Sequence, residues 1–285
     1  MKLLLELFRL PVSLLSTLSG VAAYLLAAGT ADPRLAGVGL GIFLLAGAAS
    51  ALNQVQERRF DALMQRTRRR PLPAGRISPA AALVFAATLL AAGLILLGVS
   101  TSGGLSVSLG LLAVGWYNLV YTPLKRVSAF AALPGALVGA LPPAIGWSAG
   151  GGELLSPVNI VLMGLLFVWQ VPHFWFLLLI HGDDYERAGY PTPLKYLGYL
   201  HFVRITLLWF YATLSLTVML PLFGLLNHVL LYGTVVLFAL WSGSRVCGCI
   251  MTLTPDVSLL RRSFTATNQL AAIVLVMLII DKSVG

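Results

Sequence analysis

The stretch that decides the fold reads Asn53-Gln-Val-Gln-Glu57-Arg-Arg-Phe-Asp61-Ala-Leu-Met64-Gln-Arg66-Thr67-Arg-Arg-Arg70-Pro71-Leu72. It starts inside a long apolar segment and ends in a basic run. Asn53, Glu57 and Asp61 are four residues apart, which at about 100° per residue puts three oxygen-bearing side chains on one helix face within about 80° of arc. Glu57 and Asp61 belong to a set of only 10 acidic residues in the chain. Acids at the end of a membrane helix are costly unless something balances them. Mg2+ is such a balance, usually held by one or two carboxylates plus substrate phosphates. The arginines that follow suit the remaining phosphate charge. A solvated helix end with balanced charges is the competing reading.

Working outward, the whole chain of 285 residues is 58% hydrophobic and 10% charged, with a mean hydropathy of +0.90. A soluble domain carries about 25% charged residues, so this is an integral membrane protein, one membrane domain over residues 1–285. The net charge of +9 does not signal nucleic acid, because the basic residues fall in the gaps between apolar segments. Cys247 and Cys249 are too close for an ordinary bridge and read as small buried hydrophobes. No convincing signal-peptide cleavage site follows the first apolar stretch, which is expected to remain as a span.

Apolar runs of about 17–25 residues read as transmembrane helices. Nine are expected, near 11–29, 35–55, 78–99, 104–122, 130–149, 158–181, 203–224, 228–247 and 265–281. Alternating the connecting loops places every one of the 19 Lys and Arg residues except Arg34 and Lys282 on a single side. That asymmetry implies a cytoplasmic N-terminus. Glu6, Glu57, Asp61, Asp183, Asp184, Glu186 and Asp256 join the same side, so any chemistry is expected at the cytoplasmic face. Gly37-x3-Gly41 and Gly135-x3-Gly139 suit close helix packing in lipid.

Three further segments carry candidate chemistry. Tyr121-Thr-Pro-Leu-Lys125-Arg126 sets a tyrosine and a lysine four apart, across Pro123. The lysine either holds a phosphate as a point charge or snorkels at the interface. Trp169-Gln-Val-Pro-His173-Phe-Trp175 leads to His181-Gly-Asp183-Asp184-Tyr185-Glu186-Arg187, a second carboxylate cluster at the same face. Two clusters there suit a binuclear magnesium site clasping a diphosphate. Asp183 and Asp184 are sequential and cannot both point one way on a regular helix. His173 lies about two turns deeper than His181, and either meets a large planar substrate or an iron, or bonds a neighbouring side chain. Gly135-Ala-Leu-Val-Gly139-Ala-Leu-Pro142-Pro143-Ala-Ile-Gly146-Trp147 breaks helix regularity, leaving room for a bulky ligand or serving packing alone.

Taken together, Asn-x3-acid-x3-Asp-x2-Met-x-Arg-Thr-x2-Arg-Pro-Leu, Tyr-x3-Lys and the second aspartate cluster resemble the UbiA superfamily of intramembrane aromatic prenyltransferases, over residues 10–280. The segments 121–126, 139–147, 169–175 and 184–191 resemble its haem-farnesylating branch. Glu57 stands where aspartate is usual there. The resemblance implies an all-α bundle of nine membrane helices around a central cavity, with a cytoplasmic mouth in a bacterial inner membrane. It implies transfer of a farnesyl group from farnesyl diphosphate to a vinyl group of protohaem IX (haem B), giving haem O. Asn53, Glu57 and Asp61 are then expected to hold one Mg2+, and Asp184 with Asp183 a second. Arg66, Arg70, Tyr121, Lys125 and Arg126 are expected on the diphosphate, and Trp169, His173 and Trp175 on the haem. A haem A synthase or terminal oxidase is an expected partner by analogy only. The alternatives are a sister enzyme with another aromatic acceptor, which the Pro-Pro and Pro-His-Phe-Trp segments oppose, and a transporter. A transporter is expected to place its acids near the bilayer midplane.

Overall fold

The computed structural model describes residues 2–101, 103–252 and 255–284. Every regular element among them is helical. A short α1 (Lys2–Phe8) leads into α2 (Leu10–Ala28), α3 (Arg34–Leu63) and α4 (Pro79–Ser100). Next come α5 (Gly104–Leu124), α6 (Ala132–Ala149) and α7 (Pro157–Arg187). The chain closes with α8 (Tyr199–Val218), α9 (Val229–Met251) and α10 (Val257–Val284). Helices are forced on such a sequence, because lipid offers the backbone no hydrogen-bond partner.

Among the described residues 8 helices are long and apolar enough to cross a membrane, where the sequence suggests nine. The difference is α6. It is 18 residues long but carries Pro142 and Pro143 in its interior, and these with its glycines dilute its hydropathy. It nevertheless sits inside the bundle, against α2, α5 and α7. Here the chain packs backbone to backbone: a Cβ on Gly146 of α6 would lie 1.9 Å from the Gly20 carbonyl oxygen of α2. Gly37 and Gly41 serve the same end at α4, facing Ser100, Leu97 and the Gly93 carbonyl. Gly135 and Gly139 give their space to the Tyr121 ring and the Gln170 amide.

The two longest helices exceed the bilayer by the most. The 30 residues of α3 and the 31 of α7 measure about 45 Å at 1.5 Å per residue, against a hydrocarbon core of about 30 Å. Their final turns therefore overhang, and these overhangs carry both acidic clusters. The first extends past the expected end at residue 55, because Glu57 and Asp61 find partners that keep them buried. The second bends at His181, whose φ of −125° and ψ of 25° are not helical. Cys249 is buried as expected of a small hydrophobe, but Cys247 is exposed; both are free thiols.

Candidate active site

The face of α3 that carries Asn53, Glu57 and Asp61 turns inward, and all three side chains are buried. Each meets a partner from a different part of the chain. Asn53 Nδ2 donates to Thr122 Oγ1 on α5 at 2.9 Å. Glu57 accepts from Lys125 Nζ and, at 2.8 Å, from the Tyr190 hydroxyl. Asp61 accepts at both oxygens from Arg70 Nη1, at 3.0 and 2.8 Å. The sequence thus places three oxygens in a ladder, and the fold sets a cation against each carboxylate. A charge removed from water stays there only if it is paired.

The pairing depends on local devices. Past Leu63 the chain folds into consecutive turns, with Thr67 N–H and Arg68 N–H donating to the Met64 carbonyl. Thr67 Oγ1 donates to the Asp61 carbonyl at 2.9 Å, which brings Arg70 back over the helix end. On α5 the segment Trp116–Tyr121 is a π-helix. The wider turn stacks Tyr121 between Tyr117 and Phe174, with ring centroids 5.6 Å apart in each pair. Lys125 follows over the Tyr121 ring, 5.3 Å from its centroid. Burial pushes the Lys125 pKa down, and the Glu57 carboxylate opposes that shift. Burial pushes the Tyr190 phenol pKa up, with Glu57 adding to it.

The remaining candidates take different places. Asp184 is buried and accepts the Gln65 and Arg66 backbone N–H groups at 3.0 and 3.1 Å, with Arg187 at 3.0 Å. It ties α7 to the turn after α3. Asp183 and the Arg66 side chain are exposed. Among the described residues no three His, Cys, Asp or Glu side chains gather into a metal-holding group. Arg126 clamps α3, donating to the Gln56 carbonyl at 2.9 Å with its guanidinium 4.9 Å from the Phe60 ring centre. Trp169 Nε1 donates to the Thr267 carbonyl of α10 at 2.9 Å. Trp175 points the other way, against Phe202 and Trp209 of α8. Its Nε1 is buried without a partner among the described residues, and Trp175 borders a cleft of about 80 Å³ shared with Tyr121, Lys125, Tyr185 and Tyr190.

His173 is ringed by Trp169, Phe174 and Phe264. Its Nδ1 lies 2.6 Å from Asn268 Oδ1. The Asn268 amide nitrogen donates to the Phe264 carbonyl, so its oxygen faces the imidazole and Nδ1 carries the proton. Nε2 is left with its lone pair, the arrangement in which a histidine ligates metal. Asn268 has no motif in the sequence, and Tyr190 lies in the 184–191 segment without a role of its own there; the tertiary contacts single both out.

An oxygen ladder with its own counter-cations, beside stacked aromatic rings and inside a membrane bundle, has the parts that departure of a diphosphate requires. That places the molecule among the intramembrane prenyltransferases. Residues 13–247 match the UbiA prenyltransferase family, and the chain belongs to that family. It is 44% identical over 225 residues to the protoheme IX farnesyltransferase of Geobacter sulfurreducens, covering 78% of this chain and 82% of that one. It is 37% identical over 280 residues to the protoheme IX farnesyltransferase of Oleidesulfovibrio alaskensis, covering 98% and 96%. The fold matches a UbiA homologue from Archaeoglobus fulgidus bound to GPP and Mg2+, with TM-score 0.69, 18% identity and 99% of both chains covered. It also matches an apo UbiA homologue from Aeropyrum pernix, with TM-score 0.75, 16% identity, and 94% of this chain and 97% of that one covered.

Proposed function

We propose that this chain transfers a farnesyl group from farnesyl diphosphate to a vinyl group of protohaem IX, giving haem O, and that Mg2+ assists. The observation that carries the reading is the ladder of Asn53, Glu57 and Asp61 with Lys125 and Arg70 set against its carboxylates. The donor set is oxygen only, which fits a hard divalent cation, and the two internal cations occupy the place its charge would take. Bound there, Mg2+ supplies neutralisation of the diphosphate oxygens. A second ion at Asp184 requires that carboxylate to give up the Gln65 and Arg66 N–H groups it now accepts.

The chain's own residues then divide the work. Lys125 and Arg70 sit close enough to pass from carboxylate to phosphate, and Arg66 is free to approach from the exposed turn. As the C1–O bond breaks, their charge stabilises the departing diphosphate. The stacked rings of Tyr117, Tyr121 and Phe174 make an electron-rich wall beside the ladder, which favours an allylic cation there. The vinyl group forms a bond to C1, water adds to the resulting haem-side cation, and its proton leaves with the diphosphate. The bare Nε2 of His173, with Nδ1 fixed by Asn268, supports a role for this histidine at the haem iron. The basic loops support a mouth on the cytoplasmic side of a bacterial inner membrane. The names of the protoheme IX farnesyltransferase relatives favour this acceptor over another aromatic.

The test is the pigment mass after membranes containing the chain are incubated with haem B and farnesyl diphosphate. Haem carrying a hydroxyethylfarnesyl group is expected; unchanged haem B rejects the reading. Asp61→Ala is expected to lower product formation by about 100-fold or more, the scale of losing a preorganised charge-stabilising group.

A further inference from the structure

Farnesyl transfer of this kind consumes one water, which has to reach the haem-side cation and not the allylic one. One polar side chain of α7, Gln170, has no part in the steps above. It is half-buried, and its amide oxygen is fully enclosed yet accepts no hydrogen bond among the described residues. An acceptor left unmet inside a membrane bundle is costly, so this position calls for a donor.

Two helices place the amide independently. On α6, a Cβ on Gly135 would lie 2.5 Å from the Tyr121 ring, and one on Gly139, a turn farther along, 1.8 Å from Gln170 Oε1. On α7, Phe174 stacks on the same Tyr121 ring with centroids 5.6 Å apart, and Gln170 precedes Phe174 by four residues. Residues three and four apart are neighbours on a helix surface. Gln170 thus sits in the α6–α7 seam, one turn from the Tyr121–Phe174 stack. It is also three residues from His173, whose ring centroid lies 5.5 Å from that of Phe174.

Pro142 and Pro143 add to the same seam. Neither carries an N–H, so the carbonyls of Val138 and Gly139 lose the donor four residues on. In membrane helices such carbonyls are met by neighbouring side chains or by ordered water. Free acceptors therefore gather on the turn of α6 that Gln170 touches. Water, with two hydrogens to donate and a lone pair left over, suits such a set.

We propose that Gln170, with the carbonyls freed on α6, holds the water that ends the reaction. This rests on the reading of the chain as a haem farnesyltransferase. After C1 has bonded to the vinyl carbon, the water oxygen bonds to the haem-side cation through its lone pair. Gln170 Oε1 accepts one water hydrogen and so aims that lone pair; the proton released leaves with the diphosphate. With no water held there, the cation instead sheds a proton from the new CH2, and the pigment keeps a double bond. The two products differ by one water in mass.

The full chain in membranes is incubated with haem B and farnesyl diphosphate, and the pigments are resolved by mass. Gln170→Met keeps the size of the side chain and removes the amide. It is expected to lower the ratio of hydroxylated to dehydrated product about tenfold or more, the loss of one orienting partner. Farnesylated pigment should still form, since the carbon–carbon bond precedes the water step. Gln170→Glu, which keeps an acceptor at the same reach, should give mainly hydroxylated product. Because the Gln170 oxygen has no partner in the folded chain, Gln170→Met should not lower the melting temperature. Wild type in heavy-oxygen water should carry the label in the new hydroxyl, a readout that needs no variant. An unchanged product ratio in Gln170→Met, or unlabelled wild-type product, overturns the water site. Loss of all farnesylated pigment in Gln170→Met would assign the residue to substrate binding, and a melting temperature several degrees lower would assign it to the fold; either overturns the proposal. Haem B left unchanged by the wild type overturns the underlying reading instead.

Discussion

At the scale of single residues, the site is a set of exchangeable charge partners. Tyr190 shows what each partner contributes. Its hydroxyl is buried and donates to Glu57 at 2.8 Å. Tyr190→Phe is expected to lower the unfolding free energy by about 1.5–3 kcal/mol, as for a hydrogen bond to a charged group; denaturant unfolding in detergent checks it. Because burial and Glu57 raise the phenol pKa in the folded chain, this contribution is fully present below the unfolded pKa of about 10. It declines above that value as the unfolded state alone ionises. The variant should lack this alkaline decline. The ladder's oxygens are legible from four-residue spacing. Tyr190, 133 positions from Glu57, is not legible, because no local periodicity links it to the helix it serves.

At the scale of elements, two irregularities aim the chemistry. The π segment of α5 includes Leu119, which is 75% exposed and so contributes little to packing. Deleting it removes the extra residue of the wide turn and rotates one half of α5 against the other by about 100°. Either Lys125 then leaves Glu57 or the upstream half turns its packed face to lipid. Helix content by circular dichroism should be kept while farnesyl transfer falls about tenfold or more. The α2–α6 crossing is the second. Gly146→Val sets a Cβ against backbone at 1.9 Å, where no side chain exists to yield. A loss of about 3 kcal/mol or more is expected, beyond the usual cost of overpacking, and thermal unfolding measures it. Sequence periodicity finds the spans and places their ends within a few residues for most helices. It finds α6, at 130–149, although two interior prolines weaken it as a hydropathic span, but not which partners keep the polar end of α3 buried, since those lie elsewhere in the chain.

At the scale of the whole molecule, the proposed site predicts a coupling between Mg2+ and farnesyl diphosphate. Glu57 and Asp61 are held by Lys125 and Arg70, so a cation entering alone must displace them, and a diphosphate entering alone meets cations already engaged. Together each frees what the other needs, which is a positive coupling. Mg2+ or farnesyl diphosphate singly is expected to raise the melting temperature by about 1 °C or less, and the pair by several degrees. Equal, additive shifts would reject the coupling.

The sequence by itself determined that the chain lives in a membrane and that three oxygens line one helix side with basic residues behind them. These follow from composition and from helical geometry, which are local. Only the tertiary structure decided that Lys125 and Arg70 close on Glu57 and Asp61, and that Asp184 braces a turn while Asp183 faces outward. It also decided that Trp169 and Trp175 part to opposite neighbours. Those outcomes depend on which helices meet and at what depth, and packing between segments far apart in sequence sets that.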